Sequence, residues 1–323
     1  MSARARTALI VAAIAVAAAA IVVGAAVLTA EGEPSAATVA TEPRPRQGTP
    51  PLSLDFGIRE DAEASDLRRA AALYEAGRRQ QAASLFGRHD SLEAKLGSAF
   101  AAWPESEDRI EQLGALYPRS ALVQLHLGLA RFWAGTGGEL MAWREARDVE
   151  PDTPYAVRAD DLLHPDFAPG LPGFVPSFDT RVDRLEGSSL QEQLDTLADD
   201  RTARGRMLLG IALQRLGRPV SARRAFGQAV ERAPDDVDAL VADAVGRYEK
   251  GNPSAAFSRL GPLSRRFPQA AVVRFHLGLL LLWQRDLKEA QRQLELARAA
   301  EPGSRIAGQA TRFLDAIRNA GTS

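Results

Sequence analysis

The side chains best suited to acid–base or metal chemistry are the four histidines, since the chain contains no cysteine. His164 follows Asp160 and Asp161 by four and three residues, a spacing that places a carboxylate and an imidazole on one face of a helix. Together with the hydroxyl of Ser177, such a cluster would suit a hydrolase or a transferase. A lone pair of this kind supplies neither a third metal ligand nor a nucleophile at a fixed distance. We therefore predict no catalytic residue, no metal site and no cofactor.

Two other histidines, His126 and His276, occupy equivalent places in a duplicated sequence. The pattern Ala-x-Val-x-x-His-Leu-Gly-Leu-x-x-x-Trp occurs at residues 121–133 and again at 271–283, 150 positions later. A catalytic centre needs its histidine once, whereas a repeated histidine suits a structural position or the lining of a groove. The duplication therefore argues against an enzyme at these residues.

A helical pattern with a period of 34 residues must position these side chains. Three copies begin near Ala203, Val237 and Ala271. A period of this length is typical of stacked helix pairs. The landmarks of the first copy are Leu209, Gly210, Leu213, Gly217, Ala222, Phe226, Ala229 and Pro234. In the third copy, 68 positions on, they are Leu277, Gly278, Leu281, Arg285, Ala290, Leu294, Ala297 and Pro302.

The types of residue at these landmarks have physical reasons. Gly210 and Gly278 lie where the first helix of a pair must approach the second, and the missing side chain permits that approach. Gly217 and Gly251 are predicted to end the first helix, because glycine accepts the left-handed conformation of a helix cap. Pro234 stops the second helix and starts the next unit.

These landmarks resemble those of the tetratricopeptide repeat family. The resemblance implies an all-α solenoid of stacked antiparallel helix pairs. A degenerate block is predicted over residues 61–151 and a block of three units over 203–304, with a capping helix over 305–320 that has a polar outer face. A chain of 323 residues that is 46% hydrophobic can build such a solenoid.

The resemblance also implies that the first helix of a unit lines a groove in which partners dock as peptides or helices. The residues predicted to line it are apolar, aromatic or imidazole side chains: Leu125, His126, Leu129, Phe132, Trp133, Phe275, His276, Leu279, Leu282 and Trp283. The alternative is that they contact neighbouring units or a proline-rich insert and meet no partner. The clamp for a terminal carboxylate known in this family needs lysine and asparagine. On the groove face this chain has Met207, Ile211, Val241 and Val245 instead, so we do not expect it to bind a terminal carboxylate in this way.

The amino terminus predicts a membrane anchor. Residues 7–30 carry no charge and are long enough to cross a hydrocarbon core of roughly 30 Å as a helix. Arg4 and Arg6 precede this segment, so the positive-inside rule places residues 1–6 in the cytoplasm and the repeats outside. The alternative is a signal peptide cleaved near Gly24, which would release a secreted binding protein.

Two regions rich in proline interrupt the helical pattern. Residues 31–60 are predicted to be an extended spacer between the membrane and the repeats. Residues 152–202 form an insert with bridging helices, the second of which begins with a capping box of Ser189 and Glu192. Within the insert, residues 164–178 cannot be regular helix, because they contain four prolines, and they are too apolar for a solvated linker. They are therefore predicted to pack against the helices beside them, through Phe167, Leu171, Phe174, Val175 and Phe178.

The net charge of −1 does not favour a nucleic acid as partner. The sequence thus predicts an anchored extracytoplasmic scaffold or assembly factor of a bacterial envelope, which binds other proteins and has no small-molecule substrate. The bacterial origin is suggested by the compact architecture and by the frequent alanine and arginine. The alternative function is a cell-envelope hydrolase or transferase with its site in the proline-rich insert.

Overall fold

The computed structural model describes residues 45–180, 185 and 188–320. Over these residues the fold contains fifteen α-helices and no β-strand, which confirms the all-α prediction. The chain divides between Leu163 and His164 into two compact units, called here the first and the second unit. No helix in the described part of the chain is both long and apolar enough to span a membrane. The predicted anchor at residues 7–30 lies outside that part.

The first unit consists of three helix pairs and a final single helix. Each helix packs against the next one along the chain. The helices are α1 Ala62–Glu75, α2 Arg79–Phe86, α3 Leu92–Ala101, α4 Glu107–Leu116, α5 Ala121–Ala134, α6 Glu139–Val149 and α7 Pro154–Leu163.

The second unit repeats this arrangement after one additional helix, α8 Leu190–Asp199. The capping box predicted for α8 is confirmed, because Ser189 and Glu192 bond each other's main-chain amides. The three pairs and the final helix are α9 Ala203–Arg215, α10 Pro219–Arg232, α11 Val237–Val245, α12 Ser254–Arg266, α13 Ala271–Trp283, α14 Leu287–Ala300 and α15 Arg305–Ala320.

The close approach of paired helices depends on glycine, as predicted. A Cβ atom at Gly210 would lie 2.3 Å from the ring of Phe226, and one at Gly278 would lie 2.9 Å from the side chain of Leu294. Both distances are too short for any side chain, so these positions exclude every residue except glycine without a rearrangement.

Of the two glycines predicted to end the first helix of a pair, one does so. Gly217 has a φ of 63° and follows α9, which confirms its role as a cap. The same prediction for Gly251 is wrong, because α11 already ends at Val245. Residues 246–253 connect α11 to α12 without helix, and Tyr248 and Lys250 are buried there. In the third copy Arg285 adopts the left-handed conformation, with a φ of 60°.

Both units close in the same way. The last helix of the second unit, α15, covers the range predicted for a capping helix. The first unit was predicted to end at Pro151, but α7 follows and packs on α5 and α6 as α15 packs on α13 and α14. A glutamate before each final helix caps the amino terminus of an earlier one: Glu150 accepts from the amide of Ala121 at 2.7 Å, and Glu301 from that of Ala271 at 3.2 Å. The duplication therefore includes the final helix.

The regions rich in proline supply one extended segment to each unit. We call residues 46–56 the first strap and residues 168–178 the second strap. The first strap belongs to residues 31–60, which were predicted to form an extended spacer. In it Pro50, Leu52 and Phe56 are buried, the last two in the core of the first unit. Residues 31–44 of the predicted spacer lie outside the described part of the chain. Burial of these apolar side chains outweighs the tendency of a proline-rich segment to remain solvated. The second strap packs against the second unit, as its apolar side chains predict.

Candidate functional site

The first helices of successive pairs form one face of each unit. In the first unit α1, α3, α5 and the final α7 contact one another in sequence, and in the second unit α9, α11, α13 and α15 do the same. A strap lies across each face. We call the surface contacted by the first strap the first groove and that contacted by the second strap the second groove.

A buried histidine holds each strap at the same point. In α5, Nδ1 of His126 lies 2.7 Å from the carbonyl oxygen of Leu122, and its Nε2 accepts the amide of Ser53 at 3.1 Å. In α13, His276 repeats both bonds, with the carbonyl of Val272 at 2.7 Å and the amide of Val175 at 3.0 Å. The carbonyl contact requires the proton on Nδ1, so Nε2 remains an acceptor for the strap.

These two imidazoles are neutral. Complete burial lowers the pKa of both His126 and His276 to about 4, an effect that the bond to the main-chain carbonyl partly opposes. Protonation would convert Nε2 from an acceptor to a donor that faces another N–H group. Both histidines therefore act as hydrogen-bond acceptors for the straps at neutral pH.

A tryptophan carbonyl holds each strap at a second point. The amide of Arg46 donates to the carbonyl oxygen of Trp133 at 2.7 Å, and the amide of Ala168 donates to that of Trp283 at 3.0 Å. In both straps the amide bonded to histidine follows seven residues later. The two straps therefore cross their grooves in the same register.

The straps also share a sequence pattern. Each reads Gly-x-Pro-x-apolar-x-x-x-Phe, from Gly48 to Phe56 and from Gly170 to Phe178. Both glycines have a positive φ, 88° and 71°, which explains the residue type. Equivalent strap residues are 122 positions apart, whereas α5 and α13 are 150 apart, because the second unit has more residues, including α8, between its strap and α13.

Two tyrosines complete the hold on the first strap. The hydroxyl of Tyr74 donates to the carbonyl oxygen of Pro50 at 2.6 Å. The hydroxyl of Tyr155 accepts from the amide of Asp55 and donates to its carbonyl, both at 3.0 Å. The guanidinium of Arg46 lies 3.8 Å from the centre of the Phe132 ring, a cation–π contact.

Side chains hold the second strap more extensively. The indole of Trp283 donates to the carbonyl of Gly170 at 3.1 Å, and Gln214 accepts the amide of Phe174 at 2.9 Å. The ring of Phe174 stacks on His276 at 5.3 Å between centroids. Near the end of the strap, Arg305 donates to the carbonyl of Phe178 at 2.6 Å.

The hydroxyl and the amide of Ser177 both donate to the carboxylate of Asp238, at 2.6 Å and 2.7 Å. Burial raises the pKa of Asp238, while the bonds from Ser177 act in the opposite direction. The serine of the proposed hydrolase cluster thus has Asp238 as its hydrogen-bond partner.

The structure separates the ten predicted groove residues into two sets. His126, Phe132, Trp133, His276 and Trp283 contact the straps. Leu125 and Leu129 pack in a cluster with Trp143 of α6 and Ala159 of α7, and Phe275 packs edge-on against Phe313 of α15. Leu279 and Leu282 are buried in the core of the second unit.

The sequence does not predict five residues whose hydrogen bonds hold the straps: Tyr74, Tyr155, Gln214, Asp238 and Arg305. No period connects them with the straps. The pattern Gly-x-Pro-x-apolar-x-x-x-Phe was the one available signal that the two proline-rich regions have a common role.

No family model matches the sequence, and a search of the curated proteins finds no match. Within the described residues, no group of three histidine, aspartate or glutamate side chains is placed to hold a metal ion.

Proposed function

We propose that this chain is a scaffold or assembly factor that binds other proteins through a helical-repeat surface of the tetratricopeptide type. The observation that carries this proposal is the first groove with its strap. That groove holds an extended polypeptide by main-chain hydrogen bonds to Trp133 and His126, seven residues apart. A surface that binds one extended segment in this way has the donors, acceptors and apolar contacts to bind another.

We also propose that the repeats lie outside the cell membrane, held by a helix over residues 7–30. This part rests on the uncharged segment and on the arginines before it. A reporter fused to the carboxyl terminus tests the orientation, since an active cytosolic reporter would contradict it. The intact mass of the mature protein tests the anchor, because signal cleavage near Gly24 would remove more than twenty residues.

Photo-crosslinking in intact cells tests the scaffold function. A photoreactive amino acid is placed at Arg68, an exposed residue of α1 that contacts the first strap, and in a control protein at Arg292, whose side chain is 71% exposed on α14. We expect adducts with a defined partner protein from position 68 and not from position 292. Adducts at both positions, or at neither, would contradict binding at the first groove.

The hydrolase alternative receives no support from the position of Ser177, whose bonds go to Asp238. We therefore propose no catalytic role for the insert.

A further inference from the structure

We infer that the first groove exchanges its own strap for an extended segment of a partner, and that the partner segment carries the pattern Gly-x-Pro-x-apolar-x-x-x-Phe. The inference rests on the proposed function and deepens it by naming the ligand class. The first strap is then a built-in competitor that occupies the groove until a partner replaces it.

The two straps are themselves examples of such a ligand, and the features that they share indicate what a groove recognises. Both donate an amide to a tryptophan carbonyl and, seven residues later, another to a histidine Nε2. Both place proline four residues after the first bonded amide, where no N–H group needs a partner. Two residues later, both bury an apolar side chain: Leu52 in the first strap and Phe174 in the second, 6% and 4% exposed.

Each strap ends in a phenylalanine covered by an arginine from the first helix of the first pair in its own unit, α1 or α9. The guanidinium of Arg68 lies 5.4 Å from the ring centre of Phe56, and that of Arg204 lies 4.8 Å from that of Phe178. An aromatic residue at this position therefore gains a cation–π contact in either groove.

Exposure distinguishes the first strap as the exchangeable one. In the first strap six of the eleven residues are exposed, namely Arg46, Gln47, Gly48, Pro51, Ser53 and Asp55. In the second strap only Ser177 is exposed. Because exposed residues contribute little burial, the first strap leaves its groove at a smaller cost in free energy.

The hydrogen bonds agree with this assignment. Besides the histidine and the tryptophan carbonyl, the first strap is bonded by Tyr74 and Tyr155, and the second by the indole of Trp283, Gln214, Asp238 and Arg305. Fewer side chains must therefore release the first strap than the second.

An attached strap competes at a high effective concentration, so a partner binds with an affinity reduced by the small fraction of open grooves. A change that weakens the strap without altering the groove should therefore strengthen binding of a segment supplied in trans. Ser53→Pro is such a change, because it removes the amide that His126 accepts and no buried side chain. Val175→Pro is the matched change in the second strap.

The test uses the full-length protein and a fluorescent peptide with the sequence of residues 45–57, followed by fluorescence anisotropy. We expect the Ser53→Pro protein to bind this peptide about tenfold more tightly than the unaltered protein. The Val175→Pro protein should bind it like the unaltered protein. A control peptide with aspartate in place of Leu52 and Phe56 should not bind.

Far-UV circular dichroism establishes that each variant is folded. If Ser53→Pro unfolds the protein, the double change Leu52→Ala and Phe56→Ala weakens the strap by another route and should give the same gain in affinity. Absence of peptide binding to a folded strap variant, or equal gains from Ser53→Pro and Val175→Pro, would overturn the inference.

The outcome is separable from that of the proposed function. Partner adducts in cells together with no peptide binding would leave the scaffold function standing and reject the exchange of straps. Peptide binding to the Ser53→Pro protein without any adduct in cells would support an exchangeable groove and count against the scaffold function.

Discussion

The two grooves hold their straps by the same main-chain bonds and differ in the side chains that add further bonds and contacts. Each has a histidine Nε2 and a tryptophan carbonyl that accept strap amides seven residues apart. The second strap is also covered by stacked aromatic rings and bonded by Gln214, Asp238 and Arg305. Main-chain bonds therefore fix the register of a strap, whereas side chains determine how firmly it is held.

Replacement of the two equivalent tryptophans should show the largest difference in stability between the grooves. Trp283 is 4% exposed and its indole is bonded to the strap, so Trp283→Ala should lower the free energy of unfolding by about 3–5 kcal/mol. The equivalent Trp133 is only half-buried, and Trp133→Ala should lower it by about 1–2 kcal/mol. Urea denaturation followed by circular dichroism measures both values. Equal losses would remove the distinction between the two grooves.

The histidines should respond alike to pH, since the comparison assigns them the same role. The pKa of each folded-state histidine is about 4, below the unfolded value of about 6.5, so the unfolded chain binds more protons between these values. The free energy of unfolding should therefore fall as the pH is lowered from 6.5 to 4, by up to about 3 kcal/mol for each histidine. Denaturation at a series of pH values measures the slope.

His126→Gln and His276→Gln are the controls for this pH dependence. Each should remove a similar share of the slope, and a slope unchanged in both variants would exclude the histidines as its source. Asp238 acts in the opposite sense, because its pKa is raised and its contribution to stability is lost as the pH rises through the folded-state value. Asp238→Asn should therefore not reduce the slope due to the histidines.

The rates of amide hydrogen exchange in the two straps should show the smallest of these differences, but they report strap opening directly. The amides of Arg46 and Ser53 belong to exposed residues, and those of Ala168 and Val175 to residues that are buried or half-buried. Peptides from the first strap should exchange at least about tenfold faster than those from the second, which corresponds to about 1.4 kcal/mol in the free energy of local opening. Exchange followed by mass spectrometry measures this. Equal protection would argue that neither strap opens more readily than the other.

The sequence predicted the helix pairs well because the residues that pair them are close along the chain. Gly210 and Phe226 are sixteen residues apart, and their types recur with the period of the repeat. The grooves were predicted less well. Ser53 and His126 are 73 residues apart, and Val175 and His276 are 101 apart. A periodic pattern carries no information about a contact with a segment outside the period.

The sequence by itself determined an all-α architecture of helix pairs, the duplication of its blocks and the equivalence of the two histidines. It did so because small and large residues at fixed spacings permit a single kind of local packing. Contacts between segments far apart along the chain place the two straps across the repeat faces and α7 at the end of the first unit. These outcomes depend on which surfaces bury the apolar side chains of distant segments, and that is settled by the assembled fold as a whole.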